Sequence, residues 1–326
     1  MKSNTITVSR MRAFNACGRL HNIKYEQGFR ATLKADALSF GTLIHTGLGV
    51  WWKSGGDLDS TLAKMRACPG DCDAFQMERA TALMEGYSAR WSAEMADLEV
   101  LAVEVEFSAR ILNPKTGYPC HDLVVSGKID ALVKRRNTGK VWLVEHKTSS
   151  EDLSAGSTYW QRLRMDPQIS VYHDGAQALG HEVEGCIYDV LAKPGERPKL
   201  ATPPEKRKYT KKDNKLYEGQ RDTDETVAEF RCRILGKIAE SPDSYFGRAE
   251  VVRTEAEMEE SRKDVHTTAL MIREETRLGR NPRNPGNCFL YGRTCEFFDL
   301  CSGCGSLDDE TKFTKLDSVH PELESR

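Results

Sequence analysis

An acid and a base follow an apolar run near the middle of the chain. The segment LVEHKTSS begins at Leu143 as a buried strand would, and Glu145 and Lys147 then take alternate positions. Side chains two residues apart on a strand point the same way, so this carboxylate and this ammonium would share one face. A carboxylate can hold a divalent cation, and a lysine can stabilise charge that builds on a reacting phosphate. The pattern indicates either a metal-assisted reaction centre or an exposed ion pair of little energetic value.

A second carboxylate, Asp130, is predicted to lie opposite Glu145. If residues 136–139 form a four-residue hairpin loop, counting back along both strands brings these two acids face to face. Facing side chains have Cβ atoms roughly 5 Å apart. Two carboxylates at that distance repel by roughly 3 kcal/mol at an effective dielectric constant near 20. A cation of the Mg²⁺ or Mn²⁺ type would relieve this repulsion, whereas a one-residue slip in the register would separate the acids.

The elements that must position these residues are helices around a β-rich centre. Residues 100–112, 123–135 and 140–148 alternate as strands do, and helical spacing dominates before and after them. A helix beginning near Pro167 and a strand over 185–193 follow the hairpin, which predicts a βαβ unit.

Two helices are predicted near the N-terminus from their caps and apolar spacing. Ser9 is predicted to cap a helix that runs to about Tyr25, and Ser39 to cap a second helix. The pair Gly55–Gly56 is predicted to end the second helix.

Length, composition and charge fit a globular enzyme. The chain has 326 residues, of which 39% are hydrophobic and 29% charged, with a net charge of −2. Such a chain can bury a sizeable core, and any basic surface must be local. Neither a signal-peptide h-region nor an apolar run of membrane-spanning length is present, so we expect a cytoplasmic protein without a membrane partner. Ten cysteines without a secretory signal favour reduced thiols or metal ligands over disulfides.

Several motifs, in order, resemble one enzyme family. GKID followed by LVEHKTS resembles the core of the PD-(D/E)XK nuclease superfamily. GTLIHTGL resembles the Gly-x-x-x-His helix of its RecB-like branch, which implies that His45 is a metal ligand. QISVYHDG resembles the Gln-x-x-x-Tyr motif, which implies that Gln168 and Tyr172 face a DNA strand. VEVEF resembles the strand that bears an extra acid, with Glu104 favoured and Glu106 the alternative.

The resemblance implies a fold and a reaction. The expected fold is α/β: a restriction-endonuclease-like core with a mixed central sheet flanked by helices, a helical N-terminal insertion and a C-terminal iron–sulfur-bound segment. The expected function is a Mg²⁺- or Mn²⁺-dependent deoxyribonuclease, most simply an exonuclease, in recombination, repair or phage DNA processing. The metal would be held by His45, Glu104, Asp130 and Glu145. His146 would face inward and contribute only its carbonyl oxygen.

Implied partners and roles follow from the same resemblance. Lys147 would stabilise charge on the scissile phosphate while Gln168 and Tyr172 contact the strand. The expected partners are single-stranded DNA or duplex ends, together with a recombinase, helicase or single-strand-binding protein. A Walker motif is absent from the sequence, so no helicase is expected within it.

Four cysteines are concentrated near the C-terminus. Cys288, Cys295, Cys301 and Cys304 lie within seventeen residues, which is typical of an iron–sulfur or zinc site without deciding between them. The segment resembles the C-terminal cluster of iron–sulfur RecB-like nucleases, including AddB-type and CRISPR-adaptation nucleases. That resemblance implies a 4Fe–4S cluster on Cys17, Cys288, Cys295 and Cys301. The spacing between the first two C-terminal cysteines departs from the family, which leaves Cys304 as an alternative ligand.

The remaining cysteines divide into two groups. Cys186 and Cys232 lie in apolar periodic segments and are predicted to be buried thiols. A weaker zinc alternative is offered by three further cysteines with a neighbouring histidine: Cys68, Cys72, Cys120 and His121.

A basic segment lies between the predicted core and the C-terminal helices. Residues 196–216 carry eight Lys or Arg residues against three acids. We predict either a solvated loop or a patch that binds phosphates. The candidate binding residues are Lys206, Arg207, Lys208, Lys211 and Lys212.

The predicted organisation has five segments: a helical region with the first cluster cysteine and the motif histidine (1–98), the nuclease core (99–195), a mobile basic loop (196–220), helices with the cysteine cluster (221–306) and a polar tail (307–326). Two alternative functions stay open at this point. One is a non-catalytic iron–sulfur module that binds nucleic acid, and the other is a zinc-stabilised protein of unrelated function.

Overall fold

The computed structural model describes residues 4–32, 36–290 and 292–324. Its helices are, in chain order, α1 Val8–Ala16, α2 Gly18–His21, α3 Asp36–Lys53, α4 Leu58–Ala67, α5 Ala74–Met95, α6 Thr158–Leu163, α7 Pro167–Ala178, α8 Val227–Glu240, α9 Glu255–Leu278 and α10 Phe298–Ser302. Its strands are β1 Thr5–Ile6, β2 Phe29–Ala31, β3 Leu98–Leu112, β4 Pro119–Arg135, β5 Val141–Ser149, β6 Val183–Ala192, β7 Phe246–Val251, β8 Phe289–Leu290, β9 Arg293–Thr294 and β10 Phe313–Lys315.

A mixed sheet of six strands forms the centre of the molecule. Its order is β1-β4-β5-β6-β7, and β3 pairs with the other edge of β4. Strand β5 is antiparallel to β4 and parallel to β6, and α6 and α7 lie between β5 and β6 in the chain. This arrangement confirms the predicted βαβ unit. Strand β7, antiparallel to β6, was not expected, because residues 221–306 were predicted to hold helices and the cysteine cluster.

The predicted hairpin register is confirmed. Ala131 pairs with Val144 and Val133 with Trp142, as the four-residue loop requires. The N–H of Arg135 closes the loop by donating to the carbonyl of Lys140 at 2.9 Å.

The two strands of this hairpin separate beyond Ala131. Strand β3 follows one edge of β4 along its length, so β1 and β5 share the opposite edge. There β1 pairs with Val124 and Val125, and β5 pairs only from Ala131 onward. Within the described strands, the edge of β4 between these two pairings has no ladder partner, and Asp130 lies in this gap.

Helices cover both faces of the sheet. On one face α1, α7 and α9 pack against Phe107, Leu132 and Leu143. On the other face α3, α4, α5 and α8 pack against apolar side chains of the hairpin. Trp51 and Trp52 of α3 are part of this second cluster. Burial of such apolar area is the main favourable term in folding. The architecture confirms the α/β class with a mixed central sheet flanked by helices.

The first helix begins earlier and ends sooner than the sequence predicts. Its cap is Thr7 rather than Ser9, since the Thr7 hydroxyl accepts the N–H of Arg10 at 3.1 Å. The predicted continuous helix to Tyr25 is wrong because Cys17 has an extended backbone that separates α1 from α2.

The second N-terminal helix, α3, also begins earlier than predicted. It starts at Asp36, so Ser39 lies inside the helix and does not cap it. The predicted end is confirmed: α3 ends at Lys53, and Gly55 and Gly56 have φ values of 70° and 100°. Positive φ is strained for other residues and open to glycine.

The two ends of the chain lie together. Strand β10 is antiparallel to β2, and Phe313 and Phe297 form a small cluster with Ile23. Further along, the carbonyl of Glu324 accepts a hydrogen bond from Lys128 on β4 at 3.3 Å. Thus part of the segment predicted as a polar tail packs against the sheet. Across the described residues, no helix has the length and apolar character needed to span a membrane.

Candidate active site

Asp130 and Glu145 lie where β4 and β5 separate. Because the strands diverge there, the N–H of His146 donates to Asp130 Oδ2 at 2.8 Å. Asp130 exposes 13% of its side chain, and Glu145 is buried. The two carboxylates predicted from the register therefore lie within electrostatic range of each other at the open edge of β4.

Glu145, Lys147 and Gln168 form a closed triangle of hydrogen bonds. Lys147 Nζ lies 2.5 Å from Glu145 Oε1 and donates to Gln168 Oε1 at 3.0 Å. Gln168 Nε2 donates in turn to Glu145 Oε1 at 2.7 Å. Glu145 Oε2 is buried and has no hydrogen-bond donor among the described residues. One carboxylate oxygen is thus held in place while the other remains free to accept.

The electrostatics of this triangle follow from burial. Burial raises the pKa of Glu145 to about 7, and the negative charge of Asp130 adds to the rise while Lys147 opposes it. For Lys147, burial lowers the pKa, but attraction and hydrogen bonding to Glu145, together with the charges of Asp130 and Asp166, outweigh it and the net pKa is raised. Lys147 therefore carries its positive charge beside the two acids at neutral pH.

His45 approaches Asp130 from the helical side. Its Nδ1 lies 3.9 Å from Asp130 Oδ1. Gly41, one turn earlier on α3, allows this approach, since a Cβ there would lie 3.1 Å from Thr148 Oγ1 on β5. Burial alone would raise the pKa of Asp130, but the imidazoles of His45 and His146 and the His146 N–H lower it overall. Asp130 is thereby kept as an acceptor for positive charge.

Gln168 and Tyr172 occupy one face of α7. Asp166 caps this helix by accepting the N–H of Gln168 at 2.9 Å, and Pro167 fits the first turn. The Tyr172 ring meets Phe107 edge-on at 5.6 Å. Burial raises the pKa of Tyr172 well above its usual value, as does the negative charge of Glu145. Both motif residues thus lie near the acid pair.

Glu104 is engaged with a different partner. It has a positive φ of 54°, and its carboxylate forms an ion pair with the buried Lys128. Glu106, the alternative, faces Lys128 in the ladder between β3 and β4. The structure shows no hydrogen bond or ion pair from either acid to Asp130 or Glu145 within its described part. A metal-ligand role for Glu104 stays a prediction.

The side chains of Asp130, Glu145 and His45 have the chemistry of ligands for a divalent cation, although they are not arranged around a common point. In residues 4–32, 36–290 and 292–324, no three His, Cys, Asp or Glu side chains are grouped tightly enough to hold a metal ion. Lys147 neutralises Glu145 in this arrangement. The unsatisfied Glu145 Oε2 and the carboxylate of Asp130 are the oxygen donors that Mg²⁺ and Mn²⁺ prefer, and the imidazole of His45 adds a nitrogen donor beside them.

His146 points away from the acids into a buried polar network that the sequence analysis missed. Its side chain is 3% exposed, as its predicted inward direction requires, and Nδ1 lies 3.0 Å from Asp189 Oδ2. Arg248 donates from Nε to Asp189 Oδ1 at 2.8 Å and from Nη2 to the Tyr87 hydroxyl at 2.9 Å. Burial would raise the pKa of Asp189, but Arg248 and His146 together lower it overall through their charge and hydrogen bonds. A lone acid within the apolar strand IYDVL was the available signal.

Four cysteines line one cavity of about 1050 Å³ between the chain ends: Cys17, Cys288, Cys295 and Cys301. Cys304 is not among its lining residues. The N–H of Asn284 contacts Cys17 Sγ at 3.3 Å, and burial raises the pKa of the Cys295 and Cys301 thiols.

The structure corrects one prediction about the remaining cysteines. Cys186 is buried as predicted, whereas Cys232 is exposed. Cys232 lies on the outer face of α8, because Phe230 and Ile234 take the buried positions on that helix.

The basic loop lies apart from the acid pair. Lys206, Lys208, Lys211 and Lys212 are exposed. Arg207 differs, since its guanidinium donates to the carbonyls of Thr202 at 2.8 Å and Asp222 at 3.0 Å. Within the described residues, none of the hydrogen bonds or ion pairs joins these five side chains to the acids.

The comparisons with known proteins give one family. The sequence matches the model of the PD-(D/E)XK nuclease superfamily over residues 5–302. No curated protein matches the chain. Among solved structures, the chain is similar to a "Putative exonuclease" from Eubacterium rectale, with 13% identity, a TM-score of 0.49 and coverage of 97% of this chain and 92% of that one. It is also similar to SSO0001, with 15% identity, a TM-score of 0.33 and coverage of 94% and 89%. Both TM-scores are below 0.5, so the family match carries the assignment.

Proposed function

We propose that this chain, which belongs to the PD-(D/E)XK nuclease superfamily, is a metal-dependent nuclease that hydrolyses phosphodiester bonds in DNA. The observation that carries the proposal is the meeting of Asp130 with the Glu145–Lys147–Gln168 triangle at the open edge of β4. Two acids and a lysine in that position suit a reaction in which both nucleophile and substrate are anionic.

Each residue has a distinct part in the proposed reaction. Asp130, Glu145 and His45 would hold Mg²⁺ or Mn²⁺, which when bound lowers the pKa of water and offsets phosphate charge. Lys147 Nζ donates to a phosphate oxygen as negative charge develops on it. Gln168 keeps Lys147 oriented through its 3.0 Å hydrogen bond. Tyr172, on the same face of α7, contacts the strand.

Substitution of Asp130 tests this assignment. Wild type should digest labelled DNA only when Mg²⁺ or Mn²⁺ is present, and Asp130→Asn should remove most of the activity because a neutral amide attracts the cation less. Asp122→Asn is a matched control, since Asp122 is exposed and its φ of 59° suits asparagine. Equal digestion by wild type and Asp130→Asn would refute the site.

We also propose that the enzyme is an exonuclease of the RecB-like branch. Support comes from the His45, Gln168 and Tyr172 motifs in their family order. The pathway would be recombination, repair or phage DNA processing, with a recombinase, helicase or single-strand-binding protein as partner. A closed circular substrate should survive while its linear form is digested; cutting of the closed circle would identify an endonuclease instead.

The four cysteines of the cavity are proposed to hold a 4Fe–4S cluster. Support comes from their placement around one cavity, which Cys17 from the start of the chain lines together with Cys288, Cys295 and Cys301. Such a site would join the chain ends and so constrain the unfolded chain. Anaerobically purified protein should be coloured and contain iron and sulfide, and Cys17→Ser should lose both. A colourless protein with stoichiometric zinc would overturn this part of the proposal.

A non-catalytic iron–sulfur module is the alternative. It predicts that wild type binds DNA and never cleaves it, with either metal. The ionised Asp130 next to the buried Glu145 favours the enzyme, because a binding module has no need for two neighbouring carboxylates.

A further inference from the structure

A shallow groove adjoins Lys147. It has a volume of about 290 Å³ and is lined in part by Arg12, Tyr159, Arg162 and Asp166. Lys147 is also part of its wall, so whatever occupies this groove lies directly beside the proposed reaction centre. The groove combines three cationic side chains with one buried acid.

Arg12 lines this groove with an exposed side chain. It projects from α1, half of its side chain is exposed, and Nη2 donates to Asp166 Oδ1 at 2.6 Å. In the part of the chain that the structure describes, this is the single hydrogen-bond partner found for the Arg12 side chain. An arginine carries five N–H donors in a planar fork, so the remaining donors of Arg12 can serve a ligand.

Asp166 holds Arg12 in a defined position. The Asp166 side chain is only 12% exposed and also accepts the N–H of Gln168 at 2.9 Å and the hydroxyl of Tyr188 at 2.8 Å. Burial raises the pKa of Asp166, but Arg12 and these hydrogen bonds lower it overall. The acid therefore remains ionised and anchors the guanidinium.

The anchor is linked to the reaction centre. Asp166 accepts the N–H of Gln168, and the Gln168 side chain forms hydrogen bonds with both Glu145 and Lys147. Both cationic side chains are thus held by residues at the N-terminus of α7: Arg12 by Asp166, and Lys147 by Gln168.

We propose that Arg12 binds a backbone phosphate of the nucleic-acid strand next to the phosphate that reacts at Lys147. Arg162 also lines the groove, where its guanidinium lies over the Tyr159 ring at 5.7 Å and forms an ion pair with Glu151. Planar guanidinium donors match the oxygens of a phosphate. This inference rests on the proposed nuclease function and adds a substrate-binding residue to it.

Equilibrium binding tests the proposal without cleavage. The dissociation constant of a fluorescent single-stranded oligonucleotide would be measured in EDTA across a series of salt concentrations. We expect Arg12→Ala to bind about tenfold more weakly, since a charge-assisted contact is lost. Its plot of log affinity against log salt should be shallower by about 0.7, the value for one phosphate contact on a single strand.

Two further variants control for charge and for folding. Arg12→Lys keeps the charge but not the planar fork, so it should retain the salt slope while binding less tightly than wild type. Arg136→Ala removes an exposed arginine at the hairpin loop, about 20 Å along β5 from Lys147. It should bind as wild type does. Unchanged circular-dichroism melting of Arg12→Ala would show that the fold is intact.

The phosphate can be internal to the strand or at its end. Oligonucleotides with and without a terminal phosphate distinguish these sources: a loss confined to the phosphorylated strand indicates the end, and an equal loss indicates an internal phosphate. Wild-type affinity and slope for Arg12→Ala with both strands would overturn the inference. If wild type still digests DNA in a manner that depends on Asp130, the nuclease function survives that failure; a wild type that neither binds nor cleaves DNA overturns both.

Discussion

Gln168→Leu tests whether Gln168 positions Lys147, because the substitution leaves the charge of the lysine in place and removes the side chain that orients it. The substitution keeps the side chain close in size but removes the donor to Glu145 at 2.7 Å and the acceptor for Lys147 at 3.0 Å. Both lost bonds involve a charged partner, and such bonds contribute about 1.5–3 kcal/mol each. Lys147 keeps its contact with Glu145, so only part of this energy is lost from the transition state.

The expected loss of rate follows from that energy. If about 1.4–2.8 kcal/mol is lost from transition-state stabilisation, kcat/KM falls about 10- to 100-fold. We expect the fall mainly in kcat, because Gln168 orients the lysine rather than adding ground-state affinity. Single-turnover digestion of an end-labelled strand at saturating enzyme would measure the chemical step.

A control on the same helix makes this result decisive. Gln177→Leu makes the same chemical change at an exposed position of α7 and should leave the rate unchanged. A Gln168→Leu enzyme within twofold of wild type would refute the positioning role. An equal fall in both variants would show that α7 had been disturbed as a whole.

Three further predictions concern the basic loop, the buried network and the pH dependence of stability. The double change Lys211→Glu and Lys212→Glu should flatten the salt dependence of DNA binding, measured by fluorescence anisotropy; unchanged binding would leave the loop as a solvated segment. Arg248→Met removes the partner of a buried acid on β6 and should lower the free energy of unfolding in urea by about 3–5 kcal/mol, whereas a loss below 1 kcal/mol would contradict the network. Hydrogen bonds from Arg233 lower the pKa of Glu225 to about 2, so this group stabilises the fold above its unfolded pKa near 4.5 and the contribution is lost as pH falls toward 2. Urea unfolding should therefore show wild type more stable than Glu225→Gln at neutral pH and the gap narrowing below pH 4.5; a gap that is constant with pH would contradict this.

The hairpin is predictable from the sequence because its determinants are local. A short loop sets the register, and alternation then decides which residues share a face, so Asp130 could be placed opposite Glu145 from one segment alone. Actual ladder pairing stops at Ala131, one step before the acids. The divergence of the strands, which creates the open site, depends on β1 and β6 and has no local signal.

Other features depend on distant parts of the chain and escaped prediction. Arg12 meets Asp166 across 154 residues, and Arg248 meets Asp189 through an edge strand, β7, whose segment has no clear alternation. The start of α1 was misplaced because two hydroxyl residues, Thr7 and Ser9, could each cap it, and the structure shows Thr7 in that role.

Lys147→Ala in a metal-dependent digestion assay tests the central claim most directly. Wild type, Lys147→Ala and the exposed-lysine control Lys115→Ala would be incubated with labelled single- and double-stranded DNA in Mg²⁺, Mn²⁺ or EDTA. The account predicts that wild type and Lys115→Ala digest DNA only with a divalent metal. It predicts a rate about 10²–10³-fold lower for Lys147→Ala, the scale expected when one stabilising donor is removed. Equal digestion by Lys147→Ala and wild type would contradict it.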